Sequence, residues 1–96
     1  MSEPITPKTA PAETDAVTAL LRAVHHALDL PLPDITDEDE REHRALLISR
    51  ATDARVVLAG VLEQDHDVAR AAERLRWWIA DDPVTYTPWK DKGAPA

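Results

Sequence analysis

The chain has 96 residues, enough for one domain with a modest core, and no cysteine, which excludes disulfides, thiolate chemistry and Cys-ligated zinc. A formal net charge of −7 opposes non-specific attachment to nucleic acid or anionic lipid, because both select clustered positive charge. Phe is absent, Gly occurs twice, and β-branched residues never alternate with polar ones over a strand's length, which leaves an all-α fold.

Residues 1–13 carry Pro4, Pro7 and Pro11 without an apolar h-region, so they read as a disordered leader and not as a secretory signal. No run approaches the ~18 apolar residues of a membrane span, and a cytoplasmic location is expected. A first helix opens at Glu13 or Thr14. Val17, Leu20, Leu21, Val24 and Leu28 recur at i, i+3, i+4 and i+7 and form its expected core face, with Arg22, His26 and Asp29 opposite. His25 and His26 are adjacent, so they point about 100° apart and cannot chelate as a helical pair; His25 is expected at the core edge. Leu30 to Ile35 contains Pro31 and Pro33 and must be an extended connector, with Leu30, Leu32 and Ile35 expected to cap one end of the core.

Thr36, with Asp39 three residues on, resembles a capping box and starts the longest helix, Asp37 to Gln64. Leu46, Leu47, Ala51, Ala54, Val57, Leu58, Val61 and Leu62 fall on one side of it, with Ile48 at the edge. That stripe spans roughly 200°, too wide for one neighbour, which predicts an up-down-up three-helix bundle with this helix in the centre. Arg50 falls inside the apolar sector and is expected to snorkel outward or reach Asp53. After a short turn, Asp65 or Asp67 caps a third helix that buries Val68, Ala71, Ala72, Leu75 and Ile79, with Trp78 on the flank. Asp81, Asp82 and Pro83 stop it. Val84 to Trp89 should run extended as an aromatic tail on a 14–89 domain, followed by a polar, disordered end at 90–96.

Trp77 lies on the wheel opposite Val68 and Leu75, beside Arg70 and Glu73, so the core cannot cover it. Two covers are open to it. Pro83, Tyr86, Pro88 and Trp89 could fold back and stack on it, or a partner protein could dock there, since Trp, Tyr and Arg anchor interfaces. Arg70, Arg74, Trp77, Trp78, Tyr86 and Trp89 are therefore the candidate partner-binding residues.

Two Glu-x-x-His pairs, Glu40 with His43 and Glu63 with His66, have the spacing used in di-metal bundles, but they lie ~35 Å apart along one helix. No metal and no cofactor is expected. The six carboxylates from Asp34 to Glu42 read as helix N-terminal charge or a docking patch for a basic partner. Ser2 and Ser49 are the only serines, no Gly-rich phosphate loop exists, and no catalytic residue is identified. The expectation is a non-enzymatic protein-interaction module, an adaptor or regulatory subunit acting as a homodimer. The alternative is a nucleic-acid-linked regulator that binds DNA through Arg70, Arg74 and Arg76 or inhibits a DNA-binding protein through its acidic run.

Overall fold

The computed structural model describes residues 5–90, with side chains from Thr14 onward. It is an all-α bundle of three helices, α1 (Ile5–Leu28), α2 (Asp37–Gln64) and α3 (Val68–Asp81), of which α2 is the longest. The backbone of α1 is helical from Ile5, ahead of the start expected at Glu13 or Thr14. Of the expected leader and polar end, residues 1–4 and 91–96 lie outside the described residues.

Local chemistry sets the helix ends. Thr36 is extended at the start of α2, and its Oγ1 accepts from the Asp39 N–H at 3.0 Å while lying 2.7 Å from the Asp39 carboxylate, to which its hydroxyl donates. That satisfies one of the orphan amides of the first turn, and four acidic residues there face the positive end of the helix dipole. At the other end Asp65 sits in the left-handed region, φ 59, where its own N–H and that of His66 both return to the Gly60 carbonyl. This is the usual helix stop with Asp in place of the more common Gly, and Gly60, having no side chain, leaves room for the His66 ring against the helix. Asp67 caps α3, its carboxylate accepting from the Arg70 N–H at 2.9 Å.

The longest helix, α2, is central in chain order and packs against both others, but not equally. The most extensive helix pair is α1 with α3, then α2 with α3, and α1 with α2 is the least. The buried cluster is Leu20, Ala23 and Ala27 of α1, Ala54 and Val57 of α2, and Ala71, Ala72, Leu75 and Ile79 of α3. Two expectations are corrected by this. On α1 the buried stripe is Leu20, Ala23 and Ala27, while Val17, Leu21 and Leu28 stay 46%, 61% and 43% exposed. On α2, Leu46, Arg50, Ala54, Val57 and Gly60 are buried, and Leu47, Ala51 and Leu62 are exposed. Side-chain size accounts for this: Ala23 and Ala27 of α1 and Ala71 and Ala72 of α3 are all buried in the core these two helices share, and small side chains let backbones approach more closely, with more dispersion contact, than leucines would.

Arg50 also departs from expectation. It neither snorkels outward nor pairs with Asp53. It is 3% exposed and holds two main-chain carbonyls, with one guanidinium nitrogen 3.2 Å from the Ala27 oxygen at the end of α1 and the other 2.9 Å from the Asp82 oxygen at the end of α3. Both carbonyls sit at negative helix ends, so one cation satisfies orphan acceptors and two dipoles together. Ser49 adds a hydroxyl donated to the Asp82 carboxylate at 3.1 Å. Because α1 and α3 end at the same level of α2, they run parallel to each other and antiparallel to α2.

The first turns of α2 project past those two ends, and the non-helical segments cover them. Pro33 and Pro88 form an antiparallel bridge; since neither has an N–H, the bonds come from neighbours, Asp34 donating to the Thr87 oxygen at 2.9 Å and Trp89 to the Leu32 oxygen at 2.7 Å. The Thr87 N–H donates to Asp39 at 3.1 Å, and the Thr85 hydroxyl reaches Glu42 at 3.4 Å. Beneath this ribbon Tyr86 is buried, edge-on to His43 with ring centroids 5.4 Å apart, its hydroxyl donating to the Pro31 oxygen at 2.5 Å. Tyr86 therefore caps the end of the core, a place expected for Leu32 and Ile35, which are exposed instead.

Burial raises the Tyr86 phenol above its ordinary value of 10.0, and the nearby Arg50 charge lowers it in part. The unfolded chain ionises more readily, so the stability that Tyr86 lends is complete below pH ~10 and lost as pH rises through the folded-state value. As this is the only tyrosine, near-ultraviolet titration is expected to show its ionisation displaced upward and coupled to loss of helical circular dichroism. Reversible ionisation at the ordinary value, with helicity intact, would count against this placement.

Candidate functional site

Of the six candidate residues, the structure brings four together. Arg70, Arg74, Trp77 and Trp78, joined by Glu73, line an open groove of about 560 Å3 on α3. The i, i+4, i+7 spacing of Arg70, Arg74 and Trp77 puts them on one stripe, and Trp77 is 77% exposed at its end. Trp78 lies one step round the helix, half-buried, with its inner edge packed against the core. Its other side meets α2, where Asp53, Trp78, Asp81 and Asp82 line a shallow depression.

Tyr86 and Trp89 belong elsewhere. Both sit in the ribbon against the connector, beyond the C-terminal ends of α1 and α3, Tyr86 buried and Trp89 44% exposed. Within the described residues the tail, through Lys90, therefore does not lie over Trp77. Arg76 also lies off the groove.

Arg74 lines a second depression of about 310 Å3 between α2 and α3, with Arg55, Val56, Ala59, Gly60, Gln64 and His66. Through Arg74 the Trp77 groove continues to Val56, which is 53% exposed. Sequence reasoning missed Ala59, Gly60, Gln64 and His66 as part of this surface. The signal was available only in part: the wheel shows Val56 facing away from the seam, but which residues meet Arg74 depends on how closely α3 docks on α2.

The surface is open and carries two Arg, one Glu and exposed aromatic area, without a nucleophile among its lining residues. Among the described residues no three His, Asp or Glu side chains converge on a cation position, and no helix is long and apolar enough to cross a membrane. The two Glu-x-x-His pairs stay apart: His43 packs on Tyr86 at one end of α2 and His66 lies over Gly60 at the other. His25 and His26 are both exposed. Within the acidic run, Asp39 accepts from Thr36 and Thr87 and Glu42 from Thr85, which holds the ribbon to α2, while Asp34 accepts from the neighbouring Ile35 N–H within the connector.

No family model, curated protein or solved structure matches this chain. Its function is therefore argued from its own surface.

Proposed function

We propose that the protein is a non-enzymatic protein-interaction module, an adaptor or regulatory subunit, whose partner docks on the α3 groove of Arg70, Arg74, Trp77 and Trp78, and that it acts as a homodimer. The observation that carries this reading is Trp77, a large aromatic side chain 77% exposed and flanked by two arginines, uncovered by any segment of the described chain. Trp and Arg dominate binding energy at interfaces because they bring wide contact area and directional donors together. The two Arg beside an otherwise acidic chain fit a partner that presents carboxylates next to an apolar side chain.

The nucleic-acid alternative has less support. Arg76 points away from Arg70 and Arg74, so the three do not form one phosphate-binding row, and Asp34, Asp39 and Glu42 of the acidic run already have partners within the fold.

The test is capture from the native host with wild type and Trp77→Ala in parallel, followed by titration of the purified captured protein against both. Trp77→Ala should leave stability within about 0.5 kcal/mol, because most of the side chain is exposed and outside the core, yet weaken binding at least ~30-fold. Equal affinities for the two proteins would remove the groove from the reading, and salt-sensitive binding of random duplex would favour the alternative.

A further inference from the structure

A second surface lies on the opposite side of the bundle from Trp77, and it is apolar. Asp53, Val56 and Gly60 of α2 border Trp78 and Arg74 of α3, so α3 occupies that flank of α2, and the other flank, bearing Leu47, Ala51 and Leu58, turns toward α1. On α1 the buried stripe is Leu20, Ala23 and Ala27; with α3 as its most extensive neighbour, the right-handed winding puts Val17, Leu21, Val24 and Leu28 on the side next to α2. The two apolar stripes thus line one open furrow along the weakest helix contact of the fold. Val24 and Leu58 sit half-buried at its floor, while Val17, Leu21, Leu28, Leu47 and Ile48 rise from its sides at 46%, 61%, 43%, 36% and 61% exposure.

We infer that this α1/α2 furrow is where a second copy of the chain docks, two furrows closing face to face into an antiparallel four-helix layer with each α3 and its Trp77 groove outside. The inference rests on the homodimer in the function proposed above and assigns it a face. Area is the first reason. At those exposures the five side chains leave roughly 450 Å2 of apolar surface, which is about the apolar share of an interface burying ~800 Å2 per partner.

Charge is the second reason. Beside the furrow α1 is followed by Asp29, one step round from Leu28, and α2 carries Arg44, three residues before Leu47, both exposed. The Arg50 bond to Ala27 sets the two helices in register, with Ala27 near the level of Leu46. A two-fold axis parallel to the helices then lays α1 antiparallel on the partner's α2, keeping every level. At ~1.5 Å per residue, Asp29 comes level with the partner's Arg44.

Sedimentation or light scattering at tens of micromolar tests this on the full chain. Wild type is expected near twice the 10.6 kDa chain mass. Leu21→Glu, at an exposed position, should leave helicity and the thermal midpoint of the monomer unchanged and weaken dimerisation at least ~100-fold, since the two-fold places two unpaired carboxylates in the seam. Asp29→Arg and Arg44→Asp should each weaken it about tenfold and together restore it. A monomeric wild type overturns the inference. So does a dimer that Leu21→Glu leaves intact or that Trp77→Ala dissolves, and in that last case the groove on α3 would still stand as an interaction site.

Discussion

Arg50→Ala is expected to destabilise the fold by about 3 kcal/mol, lowering Tm by ~15 °C in a domain of this size. Two charge-assisted bonds are lost; the Ala27 carbonyl is left buried where water cannot easily reach, and the Asp82 carbonyl is left part-buried. Each such bond is worth ~1.5–3 kcal/mol, and the aliphatic stem takes its packing with it. Against this stands a gain: the guanidinium no longer has to be desolvated, and its Nε, buried and without a protein acceptor, no longer goes unpaired. The loss outweighs the gain because two helix ends depend on one side chain. Arg50→Lys keeps a single donor direction and should fall about halfway. Urea denaturation of the three proteins checks the order, and an Arg50→Ala midpoint equal to wild type would show that the helix ends are satisfied some other way.

Ala72→Leu should cost about 2 kcal/mol for the opposite reason, an excess of volume. Ala72 is 1% exposed in the seam where α3 meets α1, and Ala27, facing the same core, is fully buried. Three more carbon atoms there must push the two helices apart or take a poor rotamer, and either loses dispersion along the whole contact. The same change at Ala80, exposed on the same helix, should stay within about 0.5 kcal/mol. Calorimetric melting of both variants separates the effect of position from that of leucine itself. A neutral Ala72→Leu would mean that α1 and α3 are not held as closely as their alanines imply.

Much of the candidate surface was legible before the fold was known, and for a local reason. Trp77 faces away from Val68 and Leu75 on any helix that buries those two, so its exposure follows from 3.6 residues per turn, as does its company with Arg70 and Arg74. Tyr86 and Trp89 were grouped with Trp77 because they follow it closely in sequence and share its aromatic chemistry. Their true neighbours are Pro31, Leu32 and His43, more than forty residues earlier, and no local pattern encodes that pairing. The Thr36 and Asp67 caps could be read because a cap acts over three residues.

The sequence by itself determined the helical class, the three elements, the length of α2 and the outward face of α3. These depend on periodicity, proline and capping, all of which act within a few residues. Only the tertiary structure decided which helix is shared, which apolar stripe is buried and what Arg50 does. A stripe of leucines and a stripe of alanines on the same helix are both apolar, and hydropathy ranks the leucines as core. Here α3 packs on the alanines because close backbone approach needs small side chains on both surfaces at once, a condition set by two helices together. Arg50 lies in the interior because two helix ends arrive there with unpaired carbonyls, and that meeting exists only in the assembled fold.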